Sequence, residues 1–522
     1  MILLKISFFI KFLFVINLVY SDELPKGFTA DEWKNRHEIK QMGNRTNPPI
    51  SPVRNIAEFE RMQGVVIRFP LGIPVSLVRE MAEDVKIYCL VSSGSQNSAF
   101  NTFNSSNVNM NNVEFIVGNT DSYWTRDYGP WWVVDGNNNI SVVDHTYNRP
   151  RPNDNQAPLK LANYLNTPYF DSNIITAGGN YMTDGLGIGA SSDLIYDEND
   201  NLSISELHNL FEDYYGITTY HFIPDPNNTY IDHIDCWGKF LSPSKVLIRS
   251  VQPSHPQYSE IEETASYFGS SLTSYGLPWE VYRVYTPNNQ PYSNSTILNN
   301  KVFVPIMNSS WDDEALSVYE EAMPGYEVIG FTGSWESTDA LHCRTKGVPD
   351  IEMLQIFHSP INDIYNPVSN YVVNAEIVDL SQTGIILSET NLYWKNDNMT
   401  EYEVVPFVES EISPNNFEAE IPISPVETNI KYYISSADYS GRSETLPIAG
   451  YFQFYTESGN LFQDGDVNMD EVVNIIDVVS IVNHVLGQIE LDNIGIFLAD
   501  INNDNVINIL DIISIVNLIL GN

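Results

Sequence analysis

The stretch GVVIRFPLGIPVSLVREMAEDVKIYCLV, residues 64–91, decides the fold class. Its two ends, GVVIRF (64–69) and VKIYCLV (85–91), are short apolar runs rich in β-branched residues, which are typical of buried strands. Between them, PVSLVREMAED (74–84) spaces its apolar residues three and four apart, as an amphipathic helix does. A strand, a helix and a strand in this order indicate an α/β architecture.

The same alternation extends over residues 50–357. Helical segments such as DDEALSVYEEAM separate further strand-like runs, which include WWVVD, ISVVDH, KVLIRSV and KVFVPIM. From 358 to 456 the helical periodicity fades, and short strands separated by turn residues predict an immunoglobulin-like β-sandwich. From 464 to 522 the chain is acidic and rich in Asn and Ile. At roughly 150 residues per domain, the length of 522 residues also favours about three domains.

Composition excludes several classes of protein. Gly and Pro number 29 each and hydrophobic residues make up 43%, so the chain is neither collagenous nor Pro-rich and disordered. With 26 Lys and Arg against 67 Asp and Glu, the net charge is −41. Such a charge repels phosphate backbones, so we expect no nucleic-acid partner. It suits cationic ligands or metal ions, or it serves solubility alone, and composition does not separate these two interpretations.

The N-terminus, MILLKISFFIKFLFVINLVYS (1–21), is typical of a secretory signal peptide. It has a basic start, an apolar run from Phe12 to Val19, and the small residue Ser21 at a cleavage position. An uncleaved membrane anchor is the alternative interpretation. No later stretch approaches the roughly 20 apolar residues of a spanning helix, so we expect no membrane span in the mature chain. The protein is therefore expected to be secreted or associated with the cell surface.

The cysteines are Cys89, Cys236 and Cys343, too few for a disulfide framework in a chain of 522 residues. Their odd number leaves at least one thiol free. Cys89 lies in the strand-like run VKIYCLV, where we expect a buried and unreactive side chain. An exported protein that keeps a free thiol usually uses its chemistry, which directs attention to Cys343 in LHCRT.

The tail contains an internal repeat, with DVNMDEVVNIIDVVSIVNHVLG starting at Asp466 and DINNDNVINILDIISIVNLILG starting at Asp500. Each copy spaces oxygen-bearing residues along a loop that runs into an amphipathic helix, an arrangement that offers Ca²⁺ its about six to eight oxygen ligands. The predicted ligands are Asp466, Asn468, Asp470, the main-chain carbonyl of Val472, Asn474, Asp477, Asp500, Asn502, Asp504, the main-chain carbonyl of Val506, Asn508 and Asp511. An acidic, solvated tail without metal is the alternative.

The repeat resembles a dockerin domain, whose loops usually end in Asp at position 12. The resemblance implies a small α-helical module with structural calcium and a cohesin-like protein partner. Position 6 of the loop, usually Gly, is Glu471 in the first copy and Asn505 in the second. Asn tolerates the left-handed conformation of a sharp turn better than Glu, so we expect weaker binding in the first loop.

Four parts of the α/β region combine unusual side chains: WTRDYGPWW (124–132), GGNYMTDG (178–185), YIDHIDCW (230–237), and YSNSTILNNKVFVP together with DALHCRTKGVPD. Asp127 lies among aromatic residues, where a carboxylate is costly unless it meets a cation. His233 and Asp235 lie two apart in a predicted strand, so they would face the same side. A carboxylate, an imidazole and a thiol suit nucleophilic catalysis on a carbon that bears nitrogen, and two carboxylates can bind a planar guanidinium. The alternative is a set of separate cap, core and ion-pair residues.

In the order WxRDYGP, GGN, HxD and HC, these segments resemble bacterial peptidylarginine deiminases of the Porphyromonas type. These belong to the guanidine-modifying pentein superfamily, with agmatine deiminases as more distant relatives. The resemblance covers roughly residues 50–350 and implies a five-bladed, pseudo-symmetric α/β propeller of ββαβ modules around a central site. The roles it implies are nucleophile for Cys343, general acid and base for His233, guanidinium clamps for Asp127 and Asp235, a further active-site position for Asn294, and pocket walls for Trp124 and Tyr230. No cofactor is expected for catalysis.

The reaction that the resemblance implies is hydrolysis of a guanidinium group to a ureido group and ammonia, through a covalent thiouronium-like intermediate on Cys343. In YNRPRPND, Arg149 and Arg151 lie two apart on an extended, Pro-separated stretch and face the same way. They match the family segment that binds the α-carboxylate of a C-terminal arginine, which agmatine lacks. Surface arginines that pair with Asp144 or Asp154 are the alternative.

The sequence therefore predicts a secreted deiminase that acts on arginine-containing peptides or small guanidino compounds and forms citrulline and ammonia. Arginine at a peptide C-terminus, or free arginine, is favoured over agmatine. One alternative is an agmatine deiminase, which gives N-carbamoylputrescine. The other is a non-catalytic binding or scaffold protein that depends on its dockerin-like and immunoglobulin-like modules.

Overall fold

A computed structural model describes residues 24–365, 367, 369–424, 426–457, 464–470, 472–502, 504 and 506–520. The predicted signal peptide lies outside these ranges, and so do Glu471 and Asn505 of the two tail loops. Among the described residues, no helix combines the length and the apolar character that crossing a membrane requires.

The α/β region is built from five modules of the same topology. In each module two antiparallel strands pair, and a helix then leads to a third strand that runs parallel to its neighbour. The helix is needed because a parallel pair requires a long crossover connection. The α/β prediction is therefore confirmed, and the topology agrees with the ββαβ modules that the family resemblance implies.

The first four modules follow one another along the chain. Their two strands, helix and closing strand are Trp131–Val134, Ile140–Tyr147, Ala157–Leu165 and Tyr169–Thr176 in the first; Met182–Thr183, Ile188–Ser192, Ile204–Tyr215 and Thr219–Ile223 in the second; Gly238–Ser242, Lys245–Ser250, Tyr258–Ser270 and Glu280–Tyr285 in the third; Thr296–Leu298, Lys301–Ile306, Asp312–Ala322 and Glu327–Thr332 in the fourth. The short strand Arg54–Asn55 pairs with the first strand of the first module.

The fifth module joins the two ends of the region, because its first strand, Lys346–Pro349, pairs antiparallel with Met62–Phe69. Its remaining elements are the helix Val75–Asp84, the strand Lys86–Val91, the helix Gln96–Ser105 and the strand Val113–Val117. The strand, helix and strand predicted within residues 64–91 are confirmed. Cys89 is completely buried in this module, as its apolar surroundings predict.

The chain enters each module through a tight turn just before the first strand. These turns are Thr125–Tyr128, Gly178–Asn180, Ile234–Cys236, 291–294 and His342–Arg344. Each carries a residue of the motifs singled out in the sequence. Five turns that are far apart in the chain thus supply one cluster of side chains. The remaining short helical elements are Ala30–Asn35, Arg36–Gln41, Met110–Asn112, Pro152–Asn155, Leu194–Glu198 and Leu387–Glu389.

Two antiparallel sheets with a shared apolar core follow the α/β region. The strand order of one sheet is Leu354–Phe357, Tyr371–Asp379, Asn416–Ile421 and Val408–Glu409. The other contains Glu403–Pro406, Asn391–Asn396, Thr428–Ala437, Ser443–Leu446 and Phe452–Thr456. Buried and exposed residues alternate along 371–377, as in a strand with one face on a core. These sheets take in residues 354–357, which the sequence pattern assigns to the α/β region.

The tail has its own small core. Its helices are Ile475–Val485, Asn493–Ala499 and Ile509–Leu520. The first begins at Asn474, whose side chain accepts a hydrogen bond from the N–H of Ile476, while the Asp477 side chain reaches back to the N–H of Asn474. The core of the tail consists of Val467, Val478, Ile481, Leu498, Ala499 and Ile515. The two helices predicted after the loops are confirmed.

Candidate active site

Cys343 is completely buried in the turn His342–Arg344 and is held by Asn294. The Nδ2 of Asn294 donates to Sγ at 3.2 Å, and its Oδ1 accepts from the backbone N–H groups of His342 at 3.0 Å and of Cys343 at 3.4 Å. One amide side chain thus fixes both the thiol and the turn that carries it. Burial first, and then the charge of Asp235, raise the pKa of the thiol. A thiolate here needs a nearby cation.

Asp127 and Asp235 converge beside the thiol over Gly179 of the GGN motif. A Cβ atom at position 179 would lie 2.5 Å from Oδ1 of Asp127 and 3.0 Å from Oδ2 of Asp235, so glycine allows this approach. Oδ2 of Asp235 lies 3.5 Å from Sγ of Cys343. Burial raises the pKa of Asp127 to about 7. Burial also acts to raise the pKa of Asp235, but the hydrogen bond with His342 and the charge of Lys26 lower it below its usual value.

His233 belongs to the same cluster, with Nδ1 3.6 Å from Oδ1 of Asp127 and 3.1 Å from a Cβ atom built at position 179. Within the described part of the chain neither ring nitrogen has a hydrogen-bond partner. Burial first, and then the positive charge of Lys26, hold the pKa of His233 well below its usual value, which favours the neutral ring. A neutral imidazole without a fixed partner can accept a proton and pass it on.

The prediction that His233 and Asp235 lie in a strand is wrong. The chain forms a single 3₁₀ turn there, closed by the N–H of Cys236 donating to the carbonyl of His233 at 3.1 Å. The Oδ1 of Asn180 accepts from the N–H of Ile234 at 3.2 Å, which ties the turn to the GGN motif. His233 and Asp235 still reach one site, because the turn and not a pleated strand directs them.

His342 connects Asp235 to a buried network of charged side chains around Glu58. His342 places Nδ1 2.8 Å from Oδ2 of Asp235 and Nε2 2.7 Å from Oε2 of Glu58. Glu58 also pairs with Arg126 at 3.1 Å and with Lys239 at 3.0 Å. Burial acts to raise the pKa of Glu58, but these cations hold it well below its usual value. Sequence reasoning missed this network, because Glu58 and Lys239 stand in no recognisable motif.

Arg149 and Arg151 are both buried and lie beside the cluster. The guanidinium carbon of Arg151 is 5.2 Å from the ring centroid of Trp124, and Arg151 pairs with Glu32 at 2.7 Å. Trp124 is only 1% exposed, whereas Tyr230 is 68% exposed. Trp124 is therefore buried next to Arg151 and Tyr230 is largely exposed, and their role as pocket walls stays a prediction.

The N-terminal segment, residues 24–29, lies between these arginines and Cys343. Lys26 is 4% exposed, and its Nζ donates to Sγ of Cys343 at 2.7 Å and to the carbonyl of Thr338 at 2.7 Å. Burial acts to lower the pKa of Lys26, but Cys343, Asp127 and other acidic groups raise it well above its usual value. The site therefore binds a cation next to the thiol. No sequence pattern pointed to Lys26.

The main chain of this segment is held by the two arginines. Nε of Arg149 donates to the carbonyl of Lys26 at 3.1 Å. Nη2 of Arg151 donates to the carbonyls of Pro25 at 2.7 Å and Gly27 at 3.1 Å. Three consecutive carbonyl oxygens of a polypeptide are thus bound beside a buried basic side chain.

The two tail loops hold their oxygen atoms by hydrogen bonds within each loop. In the first, the N–H of Asp470 donates to the side-chain oxygens of Asp466 and Asn468 at 3.1 and 2.9 Å. The second repeats these bonds from the N–H of Asp504 to Asp500 and Asn502. Across the described ranges, no three Asp, Glu, His or Cys side chains converge closely enough to hold a metal ion.

The remaining predicted ligands follow the same pattern in both loops. They are Val472 and Val506, whose carbonyls accept from Asn474 and Asn508, and Asp477 and Asp511, which accept from backbone N–H groups of their own loops. Carboxylate, amide and carbonyl oxygens are the donors that a hard cation such as Ca²⁺ prefers. The residues therefore fit calcium by their chemistry, and calcium binding stays a prediction.

Two families of proteins match different parts of the chain. The Porphyromonas-type peptidyl-arginine deiminase family matches residues 72–349, and the dockerin type I domain matches residues 464–520. The agmatine deiminase of Medicago truncatula is 25% identical over 298 residues, which are 46% of this chain and 79% of that protein. A putative agmatine deiminase of Legionella pneumophila is 25% identical over 300 residues, which are 52% of this chain and 84% of that protein.

Solved structures share the fold at low sequence identity. A putative peptidyl-arginine deiminase has a TM-score of 0.51 at 19% identity and covers 58% of this chain and 100% of its own. A putative arginine deiminase from Porphyromonas gingivalis has a TM-score of 0.52 at 17% identity and covers 57% and 98%. A putative agmatine deiminase has a TM-score of 0.54 at 17% identity and covers 59% and 99%. The family match spans more than half of the sequence, includes all five turns of the site, and establishes that the chain belongs to the Porphyromonas-type peptidyl-arginine deiminase family.

Proposed function

We propose that this deiminase, a hydrolase of amidine C–N bonds, acts on arginine carried by a peptide and produces citrulline and ammonia. The observation that carries the proposal is one buried point surrounded by Cys343, His233, Asp127 and Asp235, at which a basic side chain is bound. Arg149 and Arg151 bind the main-chain carbonyls of Lys26 and Pro25, which supports a substrate with a peptide backbone.

The first half of the reaction forms a covalent bond to Cys343. Asp127 and Asp235 bind the N–H groups of the substrate guanidinium through charge-assisted hydrogen bonds. The bound cation favours the thiolate, so Cys343 gives its proton to the neutral ring of His233 and attacks the guanidinium carbon. His233 then passes the proton to the departing nitrogen. Ammonia leaves, and a thiouronium group remains on Sγ.

The second half consumes one water molecule. The oxygen of the water attacks the thiouronium carbon, and His233 takes a proton from the water in the same step. The bond from carbon to Sγ then breaks, which leaves a ureido group on the substrate and restores the thiol once the sulfur regains a proton. The net change is the reaction of a guanidinium cation with one water to a neutral ureido group, ammonia and one proton, with no oxidation or reduction.

Arg149 supports the finer proposal of a C-terminal arginine. If the substrate side chain enters as that of Lys26 does, the α-carboxylate of a terminal arginine would take the position of the Lys26 carbonyl, 3.1 Å from Nε of Arg149. A carboxylate there gains a charge-assisted bond that an amide does not make. Arg151 contacts the carbonyl of Pro25, which precedes Lys26, so it would bind the residue before a terminal arginine.

The test compares citrulline and ammonia release from a peptide with a C-terminal arginine, its amidated counterpart, free arginine and agmatine. The free-carboxylate peptide should be preferred. Changing Arg149 to Ala should lower its kcat/KM by roughly 10- to 150-fold and leave the amidated peptide nearly unaffected. Equal activity of the wild type on both peptides would contradict the carboxylate clamp.

A second candidate substrate is agmatine, which would give N-carbamoylputrescine. Its support is that the curated relatives at 25% identity are named agmatine deiminases. Agmatine offers no carboxyl group to Arg149. Preference for agmatine over all arginine substrates would therefore decide for this candidate.

The other regions support a protein that works outside the cell. The dockerin type I match favours a cohesin-like partner and a secreted or cell-surface location. Exposed apolar side chains at equivalent positions of the two tail helices support a protein partner: Ile475 and Ile509, Ile476 and Leu510, and Val479 and Ile513. Closure of the five modules into a propeller, an immunoglobulin-like assignment for residues 358–456, and structural calcium complete the proposal.

A further inference from the structure

The N-terminal segment, residues 24–29, makes the contacts that a peptide substrate would need. Its basic side chain reaches the nucleophile, and its carbonyls are bound by Arg149 and Arg151. We propose that this segment is a tethered pseudosubstrate, in which Lys26 takes the place of the substrate arginine and must leave before another chain is deiminated. The inference rests on the proposed function, because it takes the site to be one for an arginine side chain.

Lysine suits this role because it is a cation that the nucleophile cannot attack. Its ammonium group donates a hydrogen bond to Cys343, and the negative charges of Asp127 and Asp235 stabilise it. The side chain is buried almost completely. It has no carbon bonded to several nitrogens, so no thiouronium group can form. The segment therefore binds and blocks the site without being consumed.

Side chains next to Lys26 anchor the segment to the substrate-binding residues themselves. The guanidinium carbon of Arg149 lies 4.5 Å from the ring centroid of Phe28. Glu32 binds Arg151 through two hydrogen bonds of 2.7 and 3.3 Å. These contacts use the same arginines that would hold a substrate backbone, so the segment and a peptide exclude each other.

Gly27 shows how closely the segment fits the rim of the site. A Cβ atom at this position would lie 2.9 Å from Cε2 of Tyr230, closer than side chains approach one another. Thr29, two residues after Gly27, forms a capping box with Glu32 that starts the helix Ala30–Asn35. The segment is thus fixed on one side by a helix and on the other by Lys26 in the site.

A tethered competitor acts at a high effective concentration, of the order of millimolar for short connections. The apparent affinity for substrate is then the intrinsic affinity multiplied by the fraction of molecules in which the segment has left the site. A rival interpretation is that Lys26 is the cation that activates Cys343 during catalysis. Removing Lys26 should tighten peptide binding under the first interpretation. Under the second it should lower turnover without tightening binding.

The first experiment measures binding without turnover, in the full chain carrying Cys343→Ser. The probe is a short peptide with a C-terminal arginine, titrated by calorimetry. Adding Lys26→Ala should tighten binding by about 10-fold or more, and Glu32→Gln, which keeps Lys26, should tighten it by a smaller factor. The matched control is Lys34→Ala, an exposed lysine of the same region paired with Asp31 at 3.0 Å. Unchanged or weaker binding in both Lys26→Ala and Glu32→Gln would overturn the proposal.

The second experiment turns the segment into a substrate. In Lys26→Arg, the new guanidinium should be hydrolysed by Cys343 of the same molecule, with water consumed, ammonia released and the mass change of an NH group replaced by oxygen. The rate should not depend on protein concentration, and adding Cys343→Ser should prevent the change. An unmodified arginine at position 26 in protein that deiminates an added peptide would overturn the pseudosubstrate but not the proposed function. If no guanidino compound is hydrolysed by any variant, the proposed function fails and the binding experiment alone decides this inference.

Discussion

Asp235 is hydrogen-bonded to His342, the residue that precedes Cys343: Nδ1 of His342 lies 2.8 Å from Oδ2 of Asp235. The bond lowers the pKa of Asp235 against the effect of burial, and it fixes the direction of the carboxylate. His342 connects the turn of Cys343, the proposed nucleophile, with the turn of Asp235, a proposed guanidinium clamp, and we expect it to act as a positioning residue.

Replacing His342 with Ala should lower kcat/KM by roughly 10- to 150-fold, the value of a hydrogen bond to a charged group. Because the pKa of Asp235 rises when the bond is lost, the acid limb of the profile of kcat/KM against pH should move to higher pH. His342→Asn, which can still donate near the position of Nδ1, should restore part of the activity and of the profile. An unchanged acid limb in His342→Ala would contradict this role.

Cys343→Ala should abolish citrulline formation and leave the thermal unfolding temperature nearly unchanged, since a thiol adds little packing. The control is Cys89→Ala, which removes another completely buried thiol, in the strand Lys86–Val91, and should keep its activity. Mass spectrometry of wild-type protein that is rapidly quenched during turnover should detect the thiouronium adduct of the substrate on Cys343. Turnover by Cys343→Ala would exclude the covalent mechanism.

Gly179→Ala should disable the site without unfolding the protein. The new Cβ would lie 2.5 Å from Oδ1 of Asp127 and 3.1 Å from Nδ1 of His233, so both side chains must shift. A displacement of reacting groups by about 1 Å costs about 100-fold in rate, and we expect at least that loss in kcat. The control is Gly238→Ala, where the nearest atom would be at an ordinary 3.5 Å. Equal kcat values for the two variants would contradict the proposed convergence.

Glu198 should make stability depend on pH. Its Oε1 accepts from Nδ2 of Asn148 at 2.5 Å, and burial raises its pKa from 4.5 to about 8. The folded protein therefore keeps a proton that the unfolded chain loses, and this group's contribution to the unfolding free energy falls as pH rises from about 4.5 to about 8. In Glu198→Gln this contribution disappears.

The measurement for Glu198 is the unfolding temperature of wild type and Glu198→Gln at about pH 5 and about pH 8. The difference, variant minus wild type, should be larger at the higher pH. The exposed residue Glu212, changed to Gln, is the control and should give the same difference at both values. A pH-independent difference for Glu198→Gln would show that its carboxyl group ionises normally.

The tail should bind about two Ca²⁺ ions per chain without influence on turnover. In calorimetric titrations of the full chain, the double variant Asp470→Asn and Asp504→Asn should bind calcium more weakly, because each loop loses a charged ligand. Deiminase activity should be the same in both proteins and after treatment with a chelator. Calcium binding that is unaffected by the double variant would place the ions elsewhere.

The order of motifs in the sequence predicted Cys343, His233, Asp127 and Asp235, because each is a reactive group in a distinctive local pattern. YIDHIDCW was misread as a strand, since alternating apolar residues occur in a tight turn as well. Lys26 and Glu58 could not be predicted at all: a single charged residue carries no periodicity, and its partners come from turns hundreds of residues away. Sequence patterns report local chemistry, whereas the contacts of Lys26 depend on the assembled fold.

The pairing of Lys346–Pro349 with Met62–Phe69 has a consequence for biosynthesis. Cys343, the proposed nucleophile, lies in the turn before the last strand of the α/β region, and that strand pairs with a strand near the beginning of the chain. Contacts between such distant segments form late, because a long loop must close first. A growing chain on the ribosome would therefore carry every other group of the site before it acquires the reactive sulfur, and a truncated product that ends before this strand would be inert.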